Sequence, residues 1–315
     1  MSAQEARTEQ AVAWLLRSRE PAVQRLTQRD LLGETVEDAA RPGPLVRGLL
    51  RGQRRDGGFG VHPYTKWSGA HWRLVSLVEL EAPADEQLRR AAETVLDWLT
   101  GQGHRRGVRT VAGLVRRCAS QEGNALAVCS RLGMTGDERV ELLARSLVEW
   151  QWPDGGWNCD DRASGRRSSF HESLAPMWGL HEYARATGSR WAREAAERTA
   201  ELFLEHHLFR ALGTGEPIRP EWLLPHYPAY WHYDAPRALT ILARMGLVRD
   251  PRASEALDLL AGREREDGTW TAARPWWRPP GSSGSNVEVV DWGRKGPNEL
   301  VTLDAARVLR AAGRL

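Results

Sequence analysis

The chain reads Trp150-Gln151-Trp152-Pro153-Asp154-Gly155-Gly156-Trp157 at its midpoint. This order of residue types is typical of a helix that ends, turns on glycine and restarts. The glycines tolerate the positive φ that a chain adopts just past a helix end, and Asp154 can accept hydrogen bonds from backbone N–H groups in the turn. Gln151 and Trp157 flank the turn and are suited to fasten it to a neighbouring element. The stretch predicts a structural turn between two helices.

The same turn motif recurs along the chain. A full copy reads Gln53-Arg54-Arg55-Asp56-Gly57-Gly58-Phe59, and a variant copy reads Glu264-Arg265-Glu266-Asp267-Gly268-Thr269-Trp270. A degenerate copy, Gln102-Gly103-His104, lies midway between the first motif and the central one. The last interval is longer than two such spacings and indicates an insertion. A period of about fifty residues, with helix patterns between the motifs, is typical of a repeat architecture.

The Gln-x-x-Asp-Gly-Gly-Trp motif resembles the QW repeat of squalene-hopene cyclases and oxidosqualene cyclases. A looser form occurs in the β subunits of protein prenyltransferases. The resemblance covers the chain from about residue 45 to its last residue. It implies an all-α fold, an (α/α) toroid in which about five inner helices surround a central cavity and outer helices surround them. We therefore predict one toroid domain over residues 45–315, with residues 1–44 as an N-terminal helical extension packed on it.

Composition excludes several classes of protein. A net charge of +3 over 315 residues is small for a general nucleic-acid binder. Three cysteines without a CxxC pair indicate a reducing compartment and no disulfide framework. We find neither a secretory signal pattern nor a run of about 18 apolar residues. We expect a cytoplasmic protein without a transmembrane segment, for which peripheral membrane contact stays open and the oligomeric state is unknown.

Helices that follow the motifs begin with polar and ionisable residues. In a toroid the inner helices are parallel, so we expect these starts to meet at one mouth of the cavity. Acidic residues also cap helix starts for structural reasons, but the repeated pairing of histidine with a carboxylate favours a site. The candidate catalytic residues are His171, Glu172, Glu122, Asp234 and Glu299, and the candidate substrate-binding residues are Trp67, His71, Trp72, Asn124, Tyr230, Trp231 and His232.

The start of the helix after the central motif suggests the chemistry. In hopene cyclases this helix begins with Asp-x-Asp-Asp, whose middle Asp protonates the polyene. The similar place here reads Ser169-Phe170-His171-Glu172. An imidazolium is a weaker acid than an activated carboxylic acid, so direct protonation of an alkene is not favoured. His171, with Glu172 as its orienting partner, suits general acid–base catalysis near neutral pH.

Three functions fit these features. The first is a cyclase- or prenyltransferase-like enzyme, an isomerase or a transferase, that acts by acid–base chemistry on an isoprenoid or another apolar small molecule in the central cavity. The second is a non-catalytic ligand-binding or scaffold protein of the same fold, since the Asp-x-Asp-Asp motif is missing. The third is a zinc-dependent transferase, since Cys159, Asp160 and His171 are the ligand types that hold zinc in the similar protein prenyltransferases, although their spacing here differs. The first two functions imply no metal and no other cofactor.

Two further features complete the sequence picture. The chain has 15 Trp beside 4 Phe and 5 Tyr. Indole faces either bind cations in a cavity or fill gaps between helices, and the sequence leaves both readings open. Residues 275–297 form a long stretch rich in Gly, Pro, Ser and Trp, which is a candidate lid.

Overall fold

A computed structural model describes residues 3–36 and 42–315 of the chain. These residues confirm the predicted all-α class, because the regular elements are helices apart from one antiparallel hairpin, β1 (Arg109–Val111) and β2 (Leu114–Arg116). A π-helix at Gln28–Leu32 continues α2, and 3₁₀ turns lie at Pro220–Leu223 and Pro251–Ala253. The α-helices are α1 (Ala3–Leu15), α2 (Pro21–Thr27), α3 (Pro44–Leu50), α4 (Ala70–Glu79), α5 (Glu86–Thr100), α6 (Gln102–Arg105), α7 (Ser120–Arg131), α8 (Glu138–Trp150), α9 (Phe170–Thr187), α10 (Arg190–Glu205), α11 (Ala235–Arg244), α12 (Ser254–Ala261) and α13 (Glu299–Ala311). In this part of the chain, none of the helices has the length and apolar character that a membrane span requires.

Inner and outer helices alternate along the chain. α4, α7, α9, α11 and α13 are mostly buried, and each packs against the next in this series. α5, α8, α10 and α12 pack against these inner helices and keep a charged face in solvent, as outer helices do. The prediction of an (α/α) toroid is confirmed.

The N-terminal helices close the ring between α13 and α4. Both α1 and α2 pack against α13. On the other side, Arg25 of α2 donates from Nη2 to the backbone oxygen of Glu81 at 2.9 Å, just past the end of α4. The predicted N-terminal extension thus contributes one more outer and inner pair to the ring. Residues 1–2 and 37–41 of that extension lie outside the described residues.

The turn motifs fasten each outer helix to the next one. Gln151 donates from Nε2 to the backbone oxygen of Ala195 in α10 at 2.9 Å. Gln53 repeats this contact in the first motif, where its Nε2 donates to the backbone oxygen of Gln87 in α5, also at 2.9 Å. Each glutamine also donates to a carbonyl of its own turn. The amide side chain therefore bridges two outer helices, as its place in the motif predicts.

The third motif closes the outer ring onto α1. Here Glu264 replaces the glutamine, and its carboxylate accepts from Gln4 Nε2 at 3.2 Å and from Arg7 Nε at 3.3 Å. α1 holds the position that α5 and α10 hold at the other motifs. The carboxylate of Glu264 thus accepts from two side chains of α1, whereas the two glutamines donate to backbone carbonyls of α5 and α10.

The first glycine of each motif lies against the backbone of the next outer helix. Its φ is +85°, +93° and +74° in the three motifs, a region that L-residues with a Cβ rarely adopt. A Cβ would come within 2.2, 2.4 and 2.0 Å of a backbone oxygen. The pairs are Gly57 with Arg90, Gly155 with Arg198, and Gly268 with Arg7.

The degenerate copy at Gln102 does not form a turn motif. The segment folds into the short helix α6, and Gln102 Oε1 accepts from Arg106 Nη2 at 3.2 Å instead of bridging two helices. The hairpin of β1 and β2 follows it. The prediction of a fourth motif is wrong, because the Asp-Gly pair that builds the turn is absent here.

The centre of the toroid is filled by an irregular segment. Residues 225–234 run past α4, α11 and α13, and the peptide bond between Tyr227 and Pro228 is cis. The pocket between this segment and α4, α11 and α13 measures about 50 Å³, whereas ligand sites usually exceed about 300 Å³. This space is too small for the isoprenoid that we predicted in the central cavity.

The stretch predicted as a lid packs against the same segment. Trp277 is buried and donates from Nε1 to the backbone oxygen of Tyr227 at 3.0 Å. Glu288 is also buried and accepts from the hydroxyl of Tyr230. Residues 275–297 therefore hold the central segment in place.

Candidate functional site

The starts of three inner helices meet at one end of the toroid, which we call the N-terminal mouth. Ser120, in the first turn of α7, donates its N–H to Glu172 Oε2 in the first turn of α9 at 3.0 Å. Tyr233, just before α11, donates its N–H to His171 Nδ1 at 2.8 Å. Direct hydrogen bonds thus connect the starts of α7, α9 and α11, as parallel inner helices predict.

His171 is held as a neutral imidazole. Because Nδ1 accepts from Tyr233, the neutral ring carries its proton on Nε2. Burial lowers the pKa of His171 to about 4, and the charge of Arg219 acts in the same direction. The ring contacts Trp222 and Trp231 edge-on, with centroids 5.6 and 5.5 Å away. The predicted general acid or base has a fixed tautomer and resists protonation near neutral pH.

Glu172 hydrogen-bonds to groups other than His171, its predicted partner. Its Oε2 accepts from Ser120, and its Oε1 lies 3.8 Å from Cys159 Sγ. Burial raises the pKa of Glu172, and repulsion from the carboxylate of Glu122 adds to the rise. Glu172 therefore keeps a proton at a higher pH than an exposed glutamate does.

Two of the cysteines join Glu172 to form what we call the thiol–carboxylate trio. Cys118 precedes α7, Cys159 follows the second turn motif, and the ligand atoms of the three residues lie within 4.8 Å of one another. Cys159 is exposed, Cys118 is half-buried, and both are free thiols. The hydrogen bond between the thiols lowers the pKa of Cys159 and, together with burial, raises that of Cys118. Cys159 therefore becomes a thiolate first.

Glu122 is paired beside the trio. Its Oε1 accepts from Arg117 Nη2 at 2.6 Å and from Nε at 2.9 Å, and it lies 2.9 Å from His104 Nε2. Its Oε2 has no hydrogen-bond partner among the described residues. The guanidinium of Arg117 compensates a carboxylate that is 1% exposed, which makes its charge tolerable in the interior.

The other two predicted catalytic carboxylates, Asp234 and Glu299, make structural contacts. Asp234 Oδ1 accepts from the N–H of Arg237 at 2.7 Å, as the N-cap of α11, and Oδ2 accepts from the N–H of His226 at 3.1 Å. Glu299, in the first turn of α13, accepts from Ser18 Oγ at 2.7 Å. Asp234 is therefore a helix cap, whereas Glu299 links α13 to the segment between α1 and α2. Neither side chain hydrogen-bonds to the trio.

Most aromatic residues predicted to bind substrate pack against one another. Trp67 stacks on Tyr230 with ring centroids 4.3 Å apart and meets Trp72 edge-on at 5.0 Å. Asn124 donates from Nδ2 to the backbone oxygen of Tyr230 at 3.4 Å. Trp67, Trp72 and Tyr230 are all buried. Here the gap-filling reading of the indole rings holds.

Of the remaining predicted residues, Trp231 and His232 form a second aromatic group, whereas His71 packs on Trp72 at a centroid distance of 4.6 Å. His232 lies between the rings of Trp231 and Trp276, at centroid distances of 4.0 and 4.2 Å, and burial lowers its pKa to about 3. His71 has no hydrogen-bond partner for either ring nitrogen among the described residues, and burial lowers its pKa to about 3. Trp231 is half-buried and contacts His171, so it borders the N-terminal mouth.

The zinc ligands predicted from the sequence do not assemble. The carboxylate of Asp160 accepts from Arg162 Nη2 at 2.7 Å, and Nδ1 of His171 is occupied by the N–H of Tyr233. Only Cys159 of the predicted set belongs to the trio. Across residues 3–36 and 42–315, the trio is the group of His, Cys, Asp and Glu side chains close enough to share a metal ion.

Sequence reasoning missed Cys118 and Tyr64. The signal for Cys118 was its place just before α7, at the same mouth as Glu122. Tyr64 packs on Trp72 and Trp98 at centroid distances of 5.0 and 5.3 Å, and burial raises its pKa to about 12. It is half-buried, so it adds a neutral phenol to the mouth.

Comparisons with known proteins give only matches of low similarity. No protein-family model and no curated protein matches the sequence. The Lin0763 protein from Listeria innocua has 13% identity and a TM-score of 0.47, covering 100% of this chain and 97% of that chain. The GH76 α-mannanase BT2949 from Bacteroides thetaiotaomicron has 14% identity and a TM-score of 0.38, covering 77% and 68%.

A third similar structure is a variant of the type II terpene cyclase MstE from Scytonema, in complex with geranylgeranyl dihydroxybenzoate. It has 15% identity and a TM-score of 0.39, covering 99% of this chain and 98% of that chain. None of the three is similar enough in sequence to assign a function to this chain. The resemblance to squalene-hopene cyclases stays a prediction, and the toroid rests on the observed helices.

Proposed function

We propose that this protein is a zinc-dependent enzyme whose metal ion is held by the thiol–carboxylate trio. The observation that carries the proposal is the convergence of two thiols and a buried carboxylate, from separate segments, within 4.8 Å of one another. Thiolates and carboxylates bind zinc at about 2.0–2.3 Å. The exposed side chain of Cys159 can adjust to that distance, and its lowered pKa favours the thiolate that zinc requires.

The number of ligands favours a catalytic site over a structural one. Catalytic zinc sites use three protein ligands and leave a fourth position open, whereas structural sites are closed by four. A zinc ion would supply Lewis acidity and would lower the pKa of a water or thiol bound at the open position. The transferase reaction that we predict for a zinc site fits this chemistry.

The substrate class remains the predicted one, an isoprenoid or another apolar small molecule, but its place changes. The pocket between residues 225–234 and the helices α4, α11 and α13 measures about 50 Å³, so we propose that the substrate binds at the N-terminal mouth. Tyr64 and Trp231 are half-buried there and offer apolar ring surface at this mouth.

Metal analysis of protein purified under reducing conditions tests the proposal. We expect an equimolar amount of zinc in the wild type and a loss of most of it in Cys118→Ser, Cys159→Ser and Glu172→Gln. Cys129→Ser is the matched control, because Cys129 is buried in α7 and lies outside the trio. A wild type that stays metal-free after exposure to zinc, or that forms a Cys118–Cys159 disulfide instead, would contradict the proposal.

A second candidate is metal-free acid–base catalysis on the same apolar substrate, with Glu172 as the proton donor. The raised pKa of Glu172, caused mainly by burial, favours it, since a general acid must hold its proton near the working pH. The two candidates differ in their response to a chelator, which abolishes only a zinc-dependent reaction. Native mass spectrometry would identify a retained lipid-sized ligand. A wild-type protein that binds such a ligand but never converts it would favour the alternative of a non-catalytic binding protein.

A further inference from the structure

The opposite end of the toroid contains a larger space, which we call the C-terminal mouth. A cavity of about 670 Å³ opens where the inner helices end, within the size range of ligand sites. Its lining includes six arginines and four carboxylates, Arg29, Arg131, Arg185, Arg244, Arg307, Arg310, Asp30, Glu79, Glu81 and Glu182. Burial lowers the pKa of the lining residue His181, so its imidazole adds no charge. The walls carry two more positive than negative charges.

One buried carboxylate is surrounded by three arginines. Glu79 accepts from Arg244 Nη2 at 2.7 Å and from Arg237 Nη1 at 3.0 Å, and Arg131 Nη1 lies 3.5 Å away. Burial and the charge of Arg244 together lower the pKa of Arg131. An added anion would relieve this repulsion between neighbouring guanidinium groups.

Two arginines that line the cavity have guanidinium N–H groups without a hydrogen-bond partner among the described residues. Arg310 donates from Nη1 to the backbone oxygen of Leu31, and Arg185 lies 3.6 Å from Glu182 through Nε. Their other guanidinium N–H groups have no partner among the described residues. The side chain of Arg185 is 72% exposed, so it can reach a bound molecule without disturbing the core.

Helix C-termini attract arginine without any ligand, and this explains why cations collect at this end. It does not explain an open volume of ligand size between them. We propose that the C-terminal mouth binds a small phosphate-bearing molecule. A phosphate group carries about two negative charges near neutral pH, which is enough to compensate the surplus on the walls, and guanidinium groups match its oxygens in bidentate geometry. A monocarboxylate would leave one charge uncompensated.

Isothermal titration with inorganic pyrophosphate at constant ionic strength tests the proposal. The variant Arg185→Gln/Arg310→Gln removes the two arginines with free donors, and Arg190→Gln/Arg193→Gln on α10 removes the same charge from the outer surface. We expect the first variant to weaken pyrophosphate binding at least about tenfold and the second to leave it unchanged.

Equal weakening in both variants would mean that pyrophosphate is attracted by overall charge and not by this cavity, which would contradict the proposal. A wild-type protein that does not bind pyrophosphate would also overturn it. Circular dichroism of both variants checks that they are folded. Cys159→Ser should bind pyrophosphate as the wild type does, because the trio lies at the other mouth. The result is therefore independent of the zinc proposal.

Discussion

Arg73 donates from Nη1 to the backbone oxygen of Leu49 at 2.9 Å. In the other two turn motifs, the corresponding carbonyl accepts from the indole N–H of the tryptophan that ends the motif. The first motif ends in Phe59, which has no donor, and the guanidinium of Arg73 lies 3.9 Å from the centre of its ring. Arg73 thus supplies the missing hydrogen bond. The indole pairs are Trp157 with Leu147 and Trp270 with Leu260, each at 2.9 Å.

Because Arg73 replaces the indole donor that Phe59 lacks, we predict that Phe59 and Arg73 are energetically coupled. Arg73→Met should lower the free energy of unfolding by about 2–4 kcal/mol. The variant loses the bond to Leu49 and also the hydrogen bonds that Arg73 donates to the backbone oxygens of Arg51 and Ser68. Phe59→Trp adds an indole donor for Leu49, so the same Arg73 change should cost about 1 kcal/mol less in that background. Urea unfolding of the four proteins measures the cycle, and strictly additive effects would refute the coupling.

A second prediction concerns the first glycine of each motif. Gly155→Ala should destabilise the protein by more than about 2 kcal/mol, because the residue needs positive φ and its Cβ would collide with the backbone of Arg198. Gly188 is the matched control, since its φ is +72° but nothing lies within 4 Å of an added Cβ. Gly188→Ala should cost only about 1 kcal/mol. Equal costs in thermal or urea unfolding would show that the collision does not matter.

The sequence predicted the parts of the fold that repeat. Gln151 and Gly155 carry their structural roles in their own chemistry, an amide that bridges and a glycine that turns, so the motif alone indicates the toroid. The degenerate copy at Gln102 shows the limit of this reasoning, because spacing without the Asp-Gly pair does not build the turn. Repetition also gave the convergence of helix starts at the N-terminal mouth.

The sequence could not predict what fills the centre or which side chains meet. Residues 225–234 have no periodicity that indicates where they dock, and they occupy the space that a toroid was expected to leave for substrate. Cys118 and Cys159 belong to different repeats. Their side chains come together only because the segment after α6 folds back to the N-terminal mouth. His171 and Glu172 are neighbours in sequence, yet their side chains bond to different helices.

The trio predicts ordered thiol reactivity in metal-free protein. Iodoacetamide should modify Cys159 first, because it is exposed and the hydrogen bond from Cys118 lowers its pKa. Cys118→Ala removes that donor and should slow the alkylation of Cys159 near neutral pH, by about threefold for each unit of pKa recovered, because a smaller thiolate fraction is partly offset by a more nucleophilic thiolate. Cys129 is buried and should stay unmodified. Peptide mass mapping over time gives the rates, and alkylation of Cys159 at an unchanged rate in Cys118→Ala would contradict the hydrogen bond.

The buried histidines predict that the free energy of unfolding falls in acid. Burial, with a smaller contribution from the charge of His104, lowers the pKa of His71 from 6.5 to about 3. In the unfolded chain His71 takes up a proton below pH 6.5, whereas in the folded protein it stays neutral until about pH 3. Its contribution to stability is therefore present above pH 6.5 and is lost as the pH falls between these two values.

Replacing His71 should make the free energy of unfolding depend less on pH in this range. His71→Phe keeps an aromatic ring among Trp72, Tyr64 and Trp98 and removes the proton uptake. We expect about one proton fewer to be taken up on unfolding near pH 5, read from the slope of unfolding free energy against pH. His171 and His232 keep their own contributions, because their pKa values are lowered to about 4 and about 3. His207→Asn removes an exposed imidazole and should leave the slope unchanged; an equal change in both variants would mean that burial of His71 is not its cause.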